Sequence, residues 1–256
     1  MPAQTIQWPP RHDLFGVRVS RTTYEEAETL IIQAAVAHTN AVVTHLPVHG
    51  IVMAVRDPMY RDRINSFDIV APDGQPVRWA LNAFHAAHLQ DRVYGPELML
   101  RLCRDAASAQ VGVYLYGSLP TVVTRLKANL ISRYPILQIV GCESPPFRPL
   151  TSPEIDSLAC RINDSNAGLV FIGLGLPKQD LFAHELRSHI HAVQICVGAA
   201  FDFLARTKRM APPWMQRAGV EWLFRLAHEP RRLWQRYLTT NTTFAMLVLR
   251  RLVLRQ

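Results

Sequence analysis

The sequence predicts an α/β fold, a mostly parallel sheet covered by helices on both faces, from three observations. Six short apolar runs rich in β-formers recur along the chain, each separated from the next by a helical pattern. Helix-start signals sit at the beginnings of those patterns. Nowhere does apolar character extend over the roughly 18 uninterrupted residues that a membrane-spanning helix needs. Such alternation over 256 residues fits one large α/β domain, or such a domain with an appendage.

In order along the chain, Thr23 followed by Glu26 reads as a capping box that opens a helix ahead of the first run, AVVTHL at 41. DIVAP at 68 is the second run, and Pro96 suits the first turn of a helix leading to the third, VGVYLYG at 111. Pro120 opens another helix before ILQIVG at 136. The stretch SPPFRPLTSPE, residues 144–154, is a proline-rich loop ending in Ser152-Pro153-Glu154: a cap, a proline and an acidic first turn. LVFIGLG at 169 and AVQICVG at 192 complete the set. Beyond them Pro230 breaks one helix and starts the next. That helix carries Leu233, Tyr237, Phe244, Leu247 and Arg251 near one face, with Trp234, Leu238 and Leu249 alongside.

Charge divides the chain. Net charge is +8, yet from Arg206 onward eleven Lys and Arg residues face only Glu221 and Glu229, which leaves residues 1–205 near neutral. The expected organisation is an α/β core over 1–205 and a basic, amphipathic helical appendage over 206–256. Apolar and aromatic residues interleaved with arginine suit an anionic membrane surface. The N-terminal stretch MPAQTIQWPPRHDLFG lacks a charged segment followed by an apolar one, so the protein is expected in the cytoplasm, peripheral on the inner face of the membrane. Cys103, Cys142, Cys160 and Cys196 form no CxxC pair and read as buried thiols in a reducing compartment.

In sheets of this class ligands bind beyond the carboxyl ends of the strands, so the residues that end the runs are the ones to inspect. Asp73, followed by Gly74, is a turn signal and equally the carboxylate of a general base. FIGLGLPKQD keeps Gly173 and Gly175 bare before Lys178 and Gln179, as backbone N–H groups that receive an oxygen-rich ligand require. VGAAFDF repeats the pattern with Gly198 and Asp202, the latter read either as a site residue or as a cap. His45 with His49, and His85 with His88, lack a third ligand and read as core or surface histidines rather than metal ligands. No Asp-x-Asp is present to hold a divalent ion, so a nucleotide-sugar site here would neutralise phosphate with helix ends and Arg or Lys.

Taken in order, APDGQPVRW, RVYGPELM, YPILQIVG, IGLGLPKQD, VGAAFDF, RMAPPWMQRAGVEWLFRL and EPRRLWQRY resemble the WecG/TagA/CpsF glycosyltransferases, glycosyltransferase family 26, over roughly residues 41–238. The resemblance implies a Rossmann-like core and a metal-independent inverting transferase that needs no cofactor. Such enzymes move a hexose-type sugar from a UDP donor to a sugar carried on a polyprenyl diphosphate, in cell-surface or exopolysaccharide biosynthesis. It implies Asp73 as general base, Thr44 and Gln179 as polar site residues, and Arg92 as a ligand-contacting arginine. It also implies that the basic appendage completes the site and docks on the membrane; from the charge of that tail Arg225, Arg231 and Arg232 are expected to bind substrate, the last two at a diphosphate. Two departures stand out. The usual Thr-x-Asn is Thr44-His45-Leu46, which leaves the Asn role to His45, to His49 or to nothing, and the usual Gly-x-Asp-Leu is Gly95-Pro96-Glu97-Leu98.

Two rival readings are weaker. A non-catalytic module binding anionic lipid or nucleic acid through the tail gives Asp73, Gln179 and Asp202 no task, and no nucleic-acid partner is expected. A nicotinamide-dependent oxidoreductase would show GxGxxG after its first strand, and none is there. The sequence leaves a homo-oligomer open.

Overall fold

The protein was analysed as a computed structural model, which describes residues 6–254; Arg255 of the basic tail and the first five residues lie outside the described residues. The chain begins with a hairpin that the sequence did not announce, β1 (Arg11–Leu14) antiparallel to β2 (Val17–Ser20). Its two turn residues, Phe15 and Gly16, both have positive φ, as a two-residue hairpin turn requires.

Then come α1 (Tyr24–Val36), β3 (Ala41–Leu46), α2 (Val48–Arg56), α3 (Pro58–Asn65), β4 (Ile69–Pro72), α4 (Gln75–His85) and α5 (Gly95–Ser108). β5 (Gly112–Gly117), α6 (Pro120–Arg133), β6 (Ile139–Glu143), α7 (Ser152–Asp164), β7 (Ala167–Gly173), α8 (Lys178–Glu185), β8 (Val193–Cys196) and α9 (Ala200–Leu204) continue the alternation. The chain goes on through α10 (Pro213–Arg217), α11 (Glu221–His228) and α12 (Pro230–Val253). Thr23 caps α1 by accepting from the Glu26 N–H. The cap of α7 is Thr151 rather than Ser152, with Glu154 completing a capping box.

β3 to β8 form one six-stranded sheet in the order β4-β3-β8-β7-β5-β6, every pairing parallel. Side chains of a strand alternate between its faces, and two cores result. Val42, Leu46, Val170 and Ile172 point into one, with α2, α3, α4, α7, α8 and the hairpin. Val43, Leu169, Phe171 and Ile195 point into the other, with α1, α5, α6 and α9. Of the cysteines only Cys103 and Cys196 are buried; Cys142 is half-buried and Cys160 exposed, so the reading of all four as buried thiols is corrected.

α12 lies along α2. Leu233, Thr240 and Phe244 are buried, and Phe244 meets Phe15 of the hairpin edge-on, ring centroids 5.8 Å apart. Arg251 fixes the far end: its Nη1 donates to the Asp13 carbonyl at 3.0 Å and its guanidinium lies 4.9 Å from the Phe84 ring centre. Trp234, Leu238, Met246, Leu249 and Leu252 stay exposed on the other side. Among the described residues no helix is long and apolar enough to cross a membrane.

Candidate active site

A parallel sheet gathers the N-termini of its following helices at one end, and a cavity of about 1280 Å³ lies there. It is lined from the starts of α4 (Gln75, Pro76), α5 (Pro96), α8 (Lys178, Gln179) and α9 (Ala200), so partial positive charge converges on it. α11 and α12 contribute Glu221, Arg225, Arg232, Arg236 and Tyr237, and Lys208 adds a further cation.

Asp73 sits just past β4, its N–H bonded to the Leu46 carbonyl at 3.2 Å, with 19 % of its side chain exposed toward the cavity it lines. Burial raises its pKa to about 6; Arg92 and Arg225 oppose that rise and Glu221 adds to it. Arg92 Nη1 stands 3.9 Å from Asp73 Oδ1, while Nη2 donates to Glu221 Oε2 at 2.7 Å. The guanidinium stacks 4.1 Å over the Tyr94 ring, and the Tyr94 hydroxyl donates to Glu221 Oε1 at 3.3 Å. Burial alone would lower the arginine's pKa, but the two carboxylates outweigh it and hold Arg92 charged. Asp73 therefore has a cation near it without a short bond to that cation, which leaves its oxygens available.

Gln179, 3 % exposed, spans two turns. Its Oε1 accepts from the Gly175 N–H at 3.1 Å, and a side chain on Gly198 would approach that same oxygen to 3.1 Å. Gly175, at φ +76, has open space where a Cβ would stand. Gly173 is bare for a different reason: a Cβ there would meet the Phe201 ring at 2.5 Å, so protein rather than ligand claims that space. Asp202, in the first turn of α9, makes no side-chain cap, and its carbonyl holds the Thr207 and Lys208 N–H groups.

His45 Nδ1 lies 3.1 Å from the Cys196 carbonyl, which makes that nitrogen the donor and leaves Nε2 an acceptor without a partner. Burial lowers its pKa to about 4, so the ring is neutral. His49 lines the same cavity and is pushed to about 4 by burial and then by Arg236. Glu97 turns away, bonded to Arg101 Nε at 2.9 Å on the outer side of α5. Among the described residues no three His, Cys, Asp or Glu side chains are grouped to hold a metal.

Thr44 and Arg231, nominated from the sequence, do not line the cavity. Thr44 shares the parity of Val42 and Leu46, points under the sheet, and donates to Asp180 Oδ1 at 2.7 Å; Tyr60 of α3 donates to Oδ2. Arg231 is exposed. His45, Asp73, Arg92, Gly173, Gly175, Lys178, Gln179, Gly198, Asp202, Arg225 and Arg232 do come together. Glu221, Tyr94 and Arg236 were not foreseen, although an acidic residue in so basic a tail was a signal for the first.

The fold and cavity define an α/β protein of the class whose ligands lie beyond the carboxyl ends of parallel strands. The chain belongs to the glycosyl transferase WecG/TagA/CpsF family, whose model matches residues 12–256, a wider span than the motifs alone cover. It is similar to the N-acetylglucosaminyldiphosphoundecaprenol N-acetyl-beta-D-mannosaminyltransferase of Bacillus subtilis (strain 168), at 31% identity over 188 residues, 73% of this chain and 70% of that one.

Proposed function

We propose that the protein transfers an N-acetylhexosaminyl group, with inversion, from a UDP-activated donor to a hydroxyl of N-acetylglucosamine carried on a polyprenyl diphosphate. The observation that carries this reading is Asp73: a carboxylate open to a cavity, raised to about 6 by burial, in a chain of this family. At neutral pH it is largely ionised yet still basic, the balance a general base needs.

In the proposed step an Asp73 oxygen takes the proton of the acceptor hydroxyl as that oxygen attacks the anomeric carbon. The bond from that carbon to the diphosphate breaks on the opposite face, and UDP leaves with the electron pair. Arg225 and the N-terminus of α8 stabilise the charge on the departing diphosphate. Gln179, its oxygen engaged by Gly175, offers its amide nitrogen to the donor. Glu221 orients Arg92 and sets the field around Asp73, which gives the segment 206–256 a part in completing the site. The exposed stripe on α12, with arginines beside it, rests on the anionic inner face of the membrane where the acceptor resides.

Transfer measured with a panel of UDP-sugars and a short-chain lipid-diphosphate N-acetylglucosamine tests the proposal. Formation of a β-linked disaccharide on the lipid supports it. Absence of product with every UDP-N-acetylhexosamine, from protein that is folded, rules it out.

A further inference from the structure

The cavity is larger than a nucleotide-sugar requires: single-ligand pockets run to about 300–1,000 Å³, and this one holds about 1280 Å³. Its lining is also divided by chemistry. Asp73, Arg92, Glu221 and Gln179 form a polar part. Val48, Leu150, Leu176, Leu181, Phe182 and Phe244 form an apolar part, all packed in or against the core beneath α2 and α8. None of the chemistry assigned to Asp73 uses that apolar part.

Its position points outward. Residues follow one another around a helix at about 100° each. Around α12, Phe244 faces the core, Asn241 faces the cavity, and Ala245 lies on the seam where the cavity meets the exposed stripe of Trp234, Leu238, Leu249 and Leu252. Ala245 both lines the cavity and is exposed. Arg232 and Arg236, also lining it, stand further toward the N-terminus of the helix, Arg236 about 13 Å along the axis from Ala245. Nine residues also turn the helix by about 180°, so the arginines and Ala245 stand at opposite edges of the arc that α12 turns to the cavity, with Thr240 and Phe244 between them: a cationic edge, an apolar trough beneath the helix and an apolar outer face follow in that order. The opposite wall is the proline-rich loop, whose Pro145, Pro146 and Leu150 line the cavity and whose Phe147 is 91 % exposed.

We infer that this apolar arm is a binding groove for the proximal isoprenoid units of the acceptor's lipid diphosphate. The diphosphate lies at Arg232 and Arg236, and the tail passes Phe244 and Leu181 and leaves the protein at Ala245 beside the stripe on α12. The occupant follows from the order of the chemistry: an amphiphile with a dianionic head and a long apolar tail matches cations followed by a trough. The inference rests on the proposed reading of the acceptor, and it adds that the enzyme draws part of the lipid out of the bilayer rather than meeting only its head.

The test uses the full chain and two probes, radiolabelled farnesyl diphosphate and dimethylallyl diphosphate, by equilibrium dialysis below their micellar concentrations. Farnesyl diphosphate is expected to bind at least about tenfold more tightly, since burial of even two or three extra methylenes has that effect. Ala245→Trp, at an exposed position, and Leu181→Asn, within the trough, are each expected to remove most of that difference. Thermal melts verify that each variant folds, and either one alone suffices as the test. Equal affinity for the two probes overturns the groove, as does a difference that a folded variant leaves intact. Displacement of farnesyl diphosphate by lysophosphatidylcholine as efficiently as by unlabelled farnesyl diphosphate also overturns it, because the trough would then serve bilayer lipid. Transfer assays with one-unit and three-unit prenyl acceptors separate this inference from the reading beneath it. Transfer without any dependence of KM on tail length overturns the groove and leaves the transferase standing; tail-dependent binding without transfer to any acceptor does the reverse.

Discussion

Two carboxylates in this molecule are pushed to about 6 by burial, and they stand in different surroundings. Asp180 is fully buried beneath the sheet, one oxygen taken by Thr44 and the other by Tyr60. Asp73 keeps a side chain 19 % exposed in a cavity, and Arg92, its nearest cation, stands 3.9 Å away. The same rise in pKa therefore accompanies a packed hydrogen-bond network in one region and an open carboxylate oxygen in the other. A perturbed pKa marks a functional group only when geometry leaves it something to react with.

The comparison breaks first at Asp73. Asp73→Asn is expected to lower turnover by about a hundred- to ten-thousand-fold with UDP affinity nearly unchanged. Steady-state transfer and a UDP titration measure this, and retention of more than about a tenth of turnover removes the residue from the role of base.

At Asp180 the expected damage is to stability. Tyr60→Phe takes away a donor to the carboxylate and should cost about 1–3 kcal/mol by urea denaturation, with turnover per folded molecule little changed. The sign with pH follows from linkage. The Tyr60 hydrogen bond favours the ionised carboxylate, so the loss is larger at neutral pH than well below about 6, where Asp180 is protonated in the folded chain with or without that bond. A loss independent of pH would mean that the bond contributes only packing.

Next in size come the tail arginines. Arg232→Ala, inside the cavity, is expected to lower kcat/KM about tenfold on a water-soluble acceptor, the value of a charge-assisted hydrogen bond. Arg231→Ala, outside it, should change kcat/KM by less than about twofold. Equal effects would place both on the substrate.

The smallest effect sharpens the comparison most. Activity should rise with pH through about 6 as Asp73 loses its proton. Glu221 is one of the charges that keep that value high, so Glu221→Gln should move the rise to lower pH. A rise that stays in place in Glu221→Gln but moves in Tyr60→Phe would assign the titration to Asp180.

The sheet was legible because six apolar runs carry enough β-branched residues to form strands, and all six are found, five of them largely buried on both faces and the edge strand β6 only partly. Two runs slipped: β7 starts and ends two residues before LVFIGLG, and Ile136 and Leu137 precede β6, whose ladder with β5 is irregular between Val113 and Tyr114. The hairpin was not legible, since RHDL and VRVS are four-residue strands with charged side chains, too short for a period to show. At the site, chain position found Asp73, Gln179 and Gly175 because strand ends converge in any parallel sheet. Position could not settle parity. Thr44 ends a strand as His45 does, yet one points under the sheet and the other toward the cavity, and only the neighbours on each face decide which. Glu221 and Arg92 are far apart in sequence, and no spacing rule joins them.

The insertion of β8 between β3 and β7 also governs how the protein comes into being. Ala41 must wait for Val193 before its strand has both neighbours, and at typical ribosomal speeds the wait lasts on the order of ten seconds or more. During that interval the nascent chain carries an unsatisfied strand edge, which invites chaperones or misassociation. Only when α11 emerges still later can Glu221 close on Arg92. Newly made chains can thus pair the outer strands before the central one, and the contact between Glu221 and Arg92 can form only after that.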